Sequence, residues 1–377
     1  MPQTQIDCLI IGGGLAGLCA AIHLSKAGFT VVLIEKNSYP KHKVCGEYVS
    51  NEVLPYLEYL GIDVFKQGAK RISKLELTTT DNELISANLP LGGFGMSRYA
   101  LDSLLAKKAK SQGVQILQDT VTAIHFRDDE FSLETKNRTK ITSKVAIGAF
   151  GKRSNLDINL DREFIKEKSP YLGVKIHVEG DFPENLVALH NFKGGYCGLS
   201  KVETNAINLC YITNFKSFKK FKDIEEFQRE VLFKNKALKK MFAQSKPLFE
   251  KPLTISQISF DTKKPVENHI LMCGDSAGMI HPLCGNGMGM AIRSAQLASN
   301  LIIDYLRGKI VSRKQLESDY SVVWNANFKK RLKMGHRIAA VFRNDFLANL
   351  SLRIIRVCPW LLPKIIRTTH GKPMQIE

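Results

Sequence analysis

The sequence predicts an α/β fold in which a mostly parallel sheet is interrupted by an inserted antiparallel sheet and followed by a helical C-terminus. Three observations predict this class. A strand, a glycine-rich turn, a helix and a second strand follow one another over residues 6–35. Residues 171–215 are rich in short strands, and a buried strand with another glycine-rich turn returns at 269–292. The two βα units would therefore belong to one sheet, with the antiparallel sheet inserted between them.

The composition is that of an ordinary globular chain with an excess of basic residues. Hydrophobic residues make up 44% of the 377 residues, charged residues make up 24%, and the formal net charge is +18. The basic residues are scattered and no nucleic-acid-binding module is present, so we expect no nucleic-acid partner. Attraction to anionic lipid or to acidic substrates stays open, as does a basic charge that only aids solubility.

Cellular location and metal content are predicted from what the sequence lacks. No basic segment followed by a long apolar run opens the chain, and no apolar run reaches the ~20 residues needed to span a bilayer. The eight cysteines form no CxxC pair and no zinc-like cluster. We therefore expect a cytoplasmic protein with reduced thiols and no metal site.

The first glycine-rich turn has the spacing Gly12-x-Gly14-x-x-Gly17 between the apolar strand "IDCLII" and a helix that ends before Gly28. Gly12 permits the tight turn, Gly14 lets the backbone approach a pyrophosphate, and Gly17 allows the helix to pack closely on the strand. The helix N-terminus would then face phosphates with free N–H groups. Glu35 ends the second strand, where a carboxylate accepts hydrogen bonds from a ribose 2′-hydroxyl. The unit therefore favours FAD or NAD over NADP, with a tight turn that binds no ligand as the alternative.

The second glycine-rich turn follows the apolar strand "HILMC" and decides between these cofactors. Asp275 would emerge at the carboxyl end of that strand, where ligands of open α/β sheets bind. A carboxylate there can bind the hydroxyls of a flavin's ribityl chain, and NAD has no such polyol. Gly285 and Gly287 precede a helix that begins near Met288, whose N–H groups would reach the pyrimidine edge of the flavin. The turn therefore predicts FAD, with glycines that serve packing alone as the alternative.

The sequence between the two turns predicts a second sheet with helices around it. Two strands flank a turn at Asp81-Asn82, and an amphipathic helix follows in "SRYALDSLLAKKAKSQG". A basic amphipathic helix is predicted over residues 223–243, and two further helical stretches follow the long helix in "GMGMAIRSAQLASNLIIDYLRG". The predicted domains are a discontinuous FAD-binding domain over residues 1–70, 95–155 and 262–308, a substrate domain over 71–94 and 156–261, and a C-terminal helical region over 309–377.

Several segments resemble one flavoprotein family. The Gly12–Gly17 fingerprint, Arg98 in "MSRYALDSLL" and "GDSAGMIHPLCGNGMGMAIRSA" resemble the FAD-dependent hydroxylase superfamily of the p-hydroxybenzoate hydroxylase fold. The segment "KVCGEYVS" (Lys43–Ser50) is similar to the Lys-x-Cys-Gly segment of its geranylgeranyl reductase branch, which also includes flavoprotein dehydrogenases. The resemblance implies a Rossmann-like FAD-binding domain that carries the inserted substrate domain.

The resemblance also implies roles for the matching positions. Arg98 would contact the FAD phosphates or ribityl chain, and Val121 would lie near the adenine through its backbone. Cys45 and Gly46 would lie beside the isoalloxazine ring, and Glu47 would be an acid near it. The alternatives are a surface arginine, a core valine, a buried thiol and a solvated loop carboxylate. Cys45 and Glu47 are the two candidate catalytic residues, and the catalytic group stays unassigned.

The predicted cofactor-binding set combines the two glycine-rich turns with the positions that the resemblance matches. Its members are Gly12, Gly14, Ala16, Gly17, Glu35, Lys36, Lys43, Cys45, Gly46, Arg98, Val121, Gly274, Asp275, Pro282, Gly285, Gly287 and Met288. No second GxGxxG is present, so NAD(P)H, the expected reductant, would bind transiently over the flavin.

Two segments depart from the family pattern. The family's Gly-Ala-Asp-Gly segment has Phe150 in place of the aspartate, and in the hydroxylases that acid is tied to NAD(P)H use. The Gly-Tyr-Gly-Trp-type stretch of the reductases is Gly195-Tyr196-Cys197-Gly198-Leu199 here and lacks the tryptophan. Another electron donor therefore stays open, and a geranylgeranyl chain is not implied as the substrate.

The C-terminal region mixes basic and apolar residues. Pro359 and Pro363 break any long helix there. Basic side chains beside apolar and tryptophan positions suit a helix at a membrane surface, and a helix pair that covers the substrate domain is the alternative. The basic residues are Lys329, Lys330, Arg331, Lys333, Arg337, Arg343, Arg353, Arg356, Lys364 and Arg367.

These expectations define one function and two alternatives. We expect an FAD-dependent oxidoreductase that acts on an apolar small molecule, lipid-like or of polyketide or isoprenoid type, by hydride transfer in C=C reduction or dehydrogenation. The first alternative is an NAD(P)H-dependent FAD monooxygenase that hydroxylates an aromatic substrate. The second is a non-catalytic FAD- or lipid-binding protein. Peripheral contact of the basic C-terminal region with a membrane stays an open expectation.

Overall fold

The structure is a computed structural model and describes residues 6–166, 170–256, 258–261, 263–342 and 344–376, without the side chain of Asp345. Its strands form two sheets, and helices pack against both. Arg343, one of the basic residues predicted to mark the C-terminal region, lies outside the described residues.

The strands divide between a first sheet, which contains the N-terminal strand, and a second sheet built mainly from the middle of the chain. In chain order they are β1 (Ile6–Ile11), β2 (Val31–Glu35), β3 (Tyr48–Ser50), β4 (Lys70–Thr78), β5 (Leu84–Gly95), β6 (Gln115–Gln118), β7 (Val121–Arg127), β8 (Glu130–Thr135), β9 (Lys140–Gly148), β10 (Tyr171–Glu179), β11 (Leu186–Phe192), β12 (Gly195–Lys201), β13 (Ile207–Asn214), β14 (Lys246–Pro247), β15 (Leu253–Ser256), β16 (Val266–Glu267) and β17 (Ile270–Met272).

The α-helices range from single turns to the long helices of the C-terminal region. In chain order they are α1 (Leu15–Lys26), α2 (Leu54–Tyr59), α3 (Arg98–Ser111), α4 (Asn155–Asn159), α5 (Phe215–Phe218), α6 (Ile224–Glu230), α7 (Lys236–Gln244), α8 (Gly287–Leu306), α9 (Arg313–Phe342), α10 (Asp345–Val357) and α11 (Leu361–Thr369).

The first sheet runs in the order β16–β17–β9–β1–β2–β6. Its central strand β1 pairs in parallel with β2 and β9, as the two βα units predict. Ile10 and alternate residues of this sheet pack with the apolar faces of α1, α3 and α8. Leu9 and Ile11 point to the other face, where they pack with Leu133 and Ile141 of the β7–β8–β9 meander. Because apolar layers cover both faces, the central strands are apolar along their whole length.

The second sheet runs in the order β14–β10–β13–β12–β11–β4–β5–β3, and β15 also pairs with β10. Its described strand pairs are antiparallel except that β4 and β11 run in parallel, so the predicted antiparallel insertion is mixed at one position. The predicted hairpin around Asp81-Asn82 is present as β4 and β5. Strand β3 also joins this sheet, from residues that precede the predicted substrate domain.

The described part of the C-terminal region contains three helices after α8, where two stretches were predicted. Helix α9 packs along α8, and α10 and α11 lie over β5 of the second sheet. The predicted helix over 223–243 is likewise divided, because Asn235 ends one segment and caps α7 by accepting the N–H groups of Ala237 and Leu238. No helix among the described residues has the length and apolar content that crossing a membrane requires. The predicted α/β fold with an inserted sheet and helical C-terminus is confirmed.

Candidate active site

One cavity of about 930 Å³ contacts both sheets and extends to the C-terminal helices. Its first part, which we call the cofactor end, is lined by the two glycine-rich turns and by residues 41–48. Its second part, the chamber, is lined by apolar side chains of the second sheet and of α9, α10 and α11. A volume of this size is at the upper end of the range for small-molecule sites.

The fingerprint turn has glycine where no side chain fits. Gly12 adopts a φ of +103°, and a Cβ at this residue would overlap the carbonyl oxygen of Ala149. A Cβ at Gly17 would overlap the carbonyl oxygen of Gly12, so this glycine lets α1 pack against the turn. Gly14 has ordinary backbone angles, and a Cβ there would meet only Arg98 Nη2, at 3.8 Å. Gly14 is also the N-cap of α1 and leaves the first N–H groups without a side-chain cap, as a bound phosphate requires.

Glu35 lies at the end of β2, and its carboxylate is fixed at the cavity wall. The Gly13 N–H donates to Oε2 at 2.7 Å, and the Asn37 N–H and Nδ2 donate to Oε1 at 2.9 and 2.7 Å. Carboxylate oxygens accept more than one hydrogen bond each, so Glu35 keeps capacity for a ribose hydroxyl. The ribose contact fits this geometry and stays a prediction.

A buried ion-paired cluster lies beside the fingerprint turn. Asp102 accepts two hydrogen bonds from Arg98, at 2.7 and 2.8 Å, and one from Lys43 Nζ at 2.8 Å. Burial would raise the pKa of Asp102, but the two cations hold it below its usual value. The carboxylate therefore fixes both basic side chains at the cavity wall. Sequence reasoning missed Asp102, although its spacing of four residues from Arg98 on one helix was a usable signal.

Glu47 forms a second buried cluster, and the alternative of a solvated loop carboxylate is wrong. Its side chain is fully buried and accepts hydrogen bonds from Lys175 Nζ, from His177 Nε2 at 2.6 Å and from the Arg98 N–H at 2.7 Å. Burial would raise its pKa, but His177 and Lys175 lower it below the usual value. An ionised carboxylate with three donors has no proton to give. The geometry therefore favours Glu47 as a residue that positions its loop over Glu47 as a catalytic acid.

Cys45 lies two residues from Glu47 and lines the cofactor end. Its thiol is half-buried, and Sγ lies 3.6 Å from Met288 Sδ at the start of α8. Asn208 Nδ2 donates to the Cys45 carbonyl at 3.1 Å and ties this loop to the second sheet. The thiol is therefore open to the cavity, as the predicted place beside the isoalloxazine ring requires.

The second glycine-rich turn completes the cofactor end. Gly274 and Gly285 have φ values of +61° and +65°, which favour glycine. Helix α8 begins at Gly287 without a side-chain cap, and the position of a Cβ on Gly287 is open space. Two uncapped helix N-termini, those of α1 and α8, therefore face one cavity. Asp275 also lines the cavity, and its carboxylate accepts no hydrogen bond from any residue that the structure describes.

Lys263 joins the second turn to the loop that follows β9. Its Nζ donates to the Asp275 carbonyl at 2.7 Å and to the Lys152 carbonyl at 3.0 Å. Burial lowers the pKa of Lys263 to about 8. The Gly151 N–H makes a second link between the same two segments by donating to Ser276 Oγ at 2.9 Å. Nothing in the local sequence marks Lys263, so sequence reasoning missed it.

The structure brings nearly all of the predicted cofactor-binding residues to the cavity. Those that line it are Gly12, Gly14, Ala16, Glu35, Lys36, Lys43, Cys45, Gly46, Arg98, Gly274, Asp275, Pro282, Gly285, Gly287 and Met288. Gly17 serves the packing of α1, and Val121 is buried in the apolar cluster of the meander, so neither lines the cavity. The backbone contact of Val121 with adenine stays a prediction. Phe150, which replaces the family's acid, is half-buried and also lines the cavity.

The chamber is apolar and is built from residues far apart in the chain. The second sheet and the last three helices supply most of its wall. The members from these elements are Leu75, Leu77, Leu89, Val187, Leu189, Tyr196, Leu199, Ile338, Val341, Phe342, Leu352, Ile355, Leu362, Ile365 and Ile366. A helix pair that covers the substrate domain was one of the two alternatives for the C-terminal region, and α10 and α11 lie over the second sheet in that way. Sequence reasoning did not identify the individual residues that line the chamber.

The cofactor end fits FAD on features of this chain. Uncapped N–H groups at two helix starts suit a pyrophosphate and the flavin's pyrimidine edge, and Asp275 has free acceptors for a ribityl chain. The family described as FAD binding domain matches residues 5–319. The chain belongs to this FAD-binding family. Its cofactor is FAD, as the two glycine-rich turns predict.

Relatives of this FAD-binding chain agree with the assignment. Digeranylgeranylglycerophospholipid reductase 1 of Methanosphaera stadtmanae is 23% identical over 99% of this chain and 97% of its own length. A flavoprotein/dehydrogenase from Cytophaga hutchinsonii superposes with a TM-score of 0.74 at 20% identity, over 91% of this chain and 87% of its own. The flavin-dependent brominase Bmp2 superposes with a TM-score of 0.79 at 18% identity, over 97% and 93%. These two structures show the shared fold.

The enzyme class follows from the family and the relatives together. The family comprises FAD-dependent oxidoreductases, monooxygenases and halogenases, and curated relatives include geranylgeranyl reductases. The predicted class of FAD-dependent oxidoreductase is confirmed at this level.

Proposed function

We propose that this FAD-dependent oxidoreductase transfers a hydride to or from an apolar, lipid-like molecule bound in the chamber. The observation that carries the proposal is that one cavity joins the cofactor end to a chamber walled by aliphatic and aromatic side chains. A ligand in that cavity would present one reacting carbon to the cofactor end. The rest of its length would be buried among leucine and isoleucine side chains.

The polar groups of the chamber suit a ligand with one polar end. Arg337, Ser351, Thr369 and His370 line the cavity beside the apolar residues of the last three helices. Arg337 is exposed, and burial lowers the pKa of His370, so Arg337 is the charged member of this group at neutral pH. An amphiphile with a long apolar body and a small polar or anionic end would match this distribution.

The chemistry is divided between the cofactor and the chain. When bound, FAD supplies two-electron hydride chemistry. Asp102 holds Arg98 and Lys43 where they would fix the cofactor phosphates, and Glu47 fixes the loop that would lie beside the flavin. The apolar chamber excludes water from the reacting carbon. Reduction of a C=C bond places a hydride on one carbon and a proton on the other, so each turnover needs two electrons from NAD(P)H or another donor.

The relatives support an isoprenoid lipid as one substrate class. The Methanosphaera protein is by name a digeranylgeranylglycerophospholipid reductase, and it matches nearly the whole of this chain. Leu199 lines the chamber, in the stretch where the family resemblance implies a tryptophan, so we expect the shape of the bound chain to differ from that in the reductases. The proposal therefore names an apolar chain and leaves its length open.

Purified protein under nitrogen tests the proposal. Bound flavin is reduced with dithionite, the excess is removed, and an isoprenoid lipid with C=C bonds is added in detergent micelles. We expect the oxidised flavin spectrum to return as one C=C bond per flavin is lost from the lipid, measured by mass spectrometry. The fully saturated lipid is the matched control, and it should leave reduced flavin unchanged. When the saturated lipid is added to oxidised flavin instead, the flavin spectrum should bleach only if the enzyme acts as a dehydrogenase.

The alternatives give different results in the same experiment. Flavin that stays reduced with every lipid and reoxidises only when oxygen and an aromatic substrate are admitted, with a hydroxylated product, would establish a monooxygenase. Flavin that no lipid and no aromatic compound oxidises or reduces would establish a non-catalytic binding protein. Protein that takes up no flavin would contradict the FAD site itself.

A further inference from the structure

Helix α10 is apolar on two opposite faces. Its inner face packs onto the second sheet through Leu352 and Ile355, which are buried. Its outer face carries large apolar side chains that recur at helical spacing. We call this set the outer stripe: Phe346, Leu347, Leu350, Ile354, Val357 and, just after the helix, Trp360.

The outer stripe is larger than the apolar surface that scattered residues produce. Phe346 is 74% exposed, Val357 is 78% exposed and Trp360 is 58% exposed. Fourteen large hydrophobic side chains are exposed among the described residues, and six of them lie between residues 346 and 360. Single exposed hydrophobic residues are ordinary, whereas a contiguous set marks an interaction surface.

The C-terminal part of the sequence that carries the outer stripe is strongly basic. Residues 321–377 contain eleven lysines and arginines and two acidic residues, which accounts for half of the net charge of +18. Arg353 and Arg356 pair with acidic residues of the β4–β5 turn at 3.7 and 3.0 Å. Lys364 and Arg367 on α11 are exposed, and Lys364 Nζ lies 4.4 Å from the centre of the Trp360 ring. Cations beside an exposed tryptophan suit the head groups of anionic lipids.

One helix separates the outer stripe from the chamber. Leu352 and Ile355, on the inner face of α10, line the cavity, and so do Leu362 and Ile366 of α11. The distance across a helix with its side chains is about 10 Å. A molecule held by the outer stripe would therefore lie about one helix diameter from the chamber.

We propose that the outer stripe of α10 inserts into the surface of a bilayer that contains anionic phospholipid. The helix would lie in the plane of the interface, with its stripe among the upper acyl chains and Lys364 and Arg367 at the head groups. Insertion into the bilayer is inferred from the outer stripe and the positive charge alone and does not depend on the proposed function. A second step rests on the proposed function: the apolar substrate enters the chamber from the bilayer past α10 and α11.

Flotation of the flavin-loaded protein with lipid vesicles tests the docking step. Vesicles of phosphatidylcholine alone are compared with vesicles that also contain phosphatidylglycerol. We expect binding to the anionic vesicles to be at least about tenfold stronger at low salt, and the difference to shrink as salt rises. The absorbance of the bound flavin reports the floated protein directly.

The triple variant Phe346→Ser, Leu350→Ser, Ile354→Ser removes the centre of the outer stripe. These three side chains are exposed and do not line the cavity, so flavin content and unfolding should match the wild type. Vesicle binding is expected to fall about 100-fold, because each lost side chain removes apolar area from the bilayer. The matched control is Val311→Ser with Val322→Ser, two exposed apolar residues outside the stripe, which should leave binding unchanged.

Two results would overturn the docking step. Equal flotation of the triple variant and the wild type with anionic vesicles would contradict insertion of the outer stripe. A wild-type dimer in sedimentation that the variant lacks, without vesicle binding, would contradict docking on a bilayer and assign the stripe to a second copy of the chain.

Lipid-dependent flavin reoxidation tests the second step, entry of the substrate from the bilayer, separately from docking. If the variant loses flavin reoxidation with lipid in vesicles but keeps it with lipid in detergent, the result supports entry of the substrate from the bilayer. If the wild type shows no reoxidation with lipid in either form, the result contradicts the proposed function, and the flotation experiment alone then decides whether the stripe docks on a bilayer.

Discussion

At the cofactor end of the cavity, Asp102 holds two basic side chains within 2.8 Å and Gly12 lies against a backbone carbonyl, whereas in the chamber Leu77 and Leu352 pack within an apolar cluster. The cofactor end depends on hydrogen bonds, ion pairs and close backbone contacts, which require particular distances and directions between the atoms. The second depends on volume and apolar area, which many side chains can supply. One cavity therefore joins a part that tolerates little change to a part that tolerates much.

This difference explains how a single fold can keep its cofactor while its substrate varies. A buried carboxylate cannot move without leaving cations unpaired. A leucine in a cavity wall can become a larger or smaller apolar residue at a cost of about 1 kcal/mol. The variants below test this contrast, beginning with the one expected to have the largest effect.

Asp102→Asn is expected to have the largest effect on stability. The carboxylate is buried and pairs with Arg98 and Lys43, so the amide would leave both cations without their counter-charge. The free energy of unfolding should fall by about 3 kcal/mol in urea titrations of the flavin-free protein. The matched control is Asp63→Asn, which removes an exposed pair with Lys66 at 3.8 Å and should cost less than about 1 kcal/mol. Equal losses would contradict the importance of the buried cluster.

The pH dependence of the Asp102→Asn difference gives a second test. The pKa of Asp102 lies below its ordinary value of 3.8 in the folded protein because Arg98 and Lys43 outweigh the effect of burial. A carboxylate with a lowered pKa stabilises the folded state above the ordinary pKa, and that stabilisation is lost as the pH falls towards the folded pKa. The stability difference should therefore be constant above about pH 5 and shrink below pH 3.8.

Gly14→Val is expected to remove the cofactor with little effect on folding. The backbone of Gly14 has φ of −83°, and a Cβ there meets only Arg98 Nη2 at 3.8 Å, so valine fits the empty protein. Its methyl groups would occupy the space of the pyrophosphate, and FAD affinity measured by fluorescence should fall about 100-fold. Unfolding of the flavin-free protein should change by about 1 kcal/mol at most.

Gly113→Ala is the matched control for the Gly14 variant. Gly113 has φ of +86° and lies outside the cavity, so alanine strains the backbone without touching the cofactor. This variant should lose about 1 kcal/mol of stability and keep its FAD affinity. A Gly14→Val protein that purifies with a full complement of FAD would exclude the pyrophosphate from the α1 N-terminus.

The cofactor end could be predicted from the sequence because its signals are local. Gly12, Gly14 and Gly17 fall within one turn, and Asp275 and Gly287 fall within another, so spacing alone marked them. The glycines act by letting the backbone approach the cofactor closely, and the spacing of glycines in the sequence indicates this directly. The fold followed from the same units, since two βα units with apolar strands require a common sheet.

The partners of these residues could not be predicted in the same way. Lys263 reaches the Asp275 turn, and Lys175 and His177 reach Glu47, from positions that carry no motif of their own. The chamber was harder still, because Leu189 and Leu352 become neighbours of one cavity only when α10 folds over the second sheet. For the C-terminal region the sequence left two alternatives, and the structure divides its apolar residues between an inner covering face and the outer stripe.

Leu189→Trp tests the tolerance of the chamber. Leu189 lines the cavity and is half-buried, so a larger side chain would fill empty space and cause little overpacking. FAD content should stay unchanged, and the concentration of unsaturated lipid needed for half-maximal flavin reoxidation should rise about tenfold. The matched control is Leu248→Trp, an exposed leucine outside the cavity, which should have no effect. Loss of FAD from the Leu189 variant would show that a substitution in the chamber also disrupts the cofactor end, so the two parts of the cavity would not be independent.

Lys263→Met is expected to have the smallest effect and to separate stability from cofactor binding at one residue. Removal of the ammonium group takes away hydrogen bonds to the Asp275 and Lys152 carbonyls. It also removes the cost of burying a charge, about 3 kcal/mol for a pKa lowered from 10.5 to about 8. These terms oppose each other, so the free energy of unfolding at pH 7 should stay within about 1 kcal/mol of the wild type. FAD affinity should still fall about fivefold, because the two loops lose the Lys263 link and are then joined only through Gly151 and Ser276 among the contacts described above.

The pH dependence decides whether burial of Lys263 is the reason. A lysine with a lowered pKa carries its full burial cost below pH 8, and the cost is relieved as the pH rises from about 8 towards 10.5. The wild type should therefore gain about 1 kcal/mol relative to Lys263→Met between pH 7 and pH 9, measured by urea unfolding at both values. Lys264→Met, which changes an exposed neighbour, should show no such difference. If the stability difference between Lys263→Met and the wild type is the same at both pH values, burial does not destabilise the charged form of Lys263. Its two hydrogen bonds to carbonyl groups would then join the loops without a free-energy cost of burying the charge.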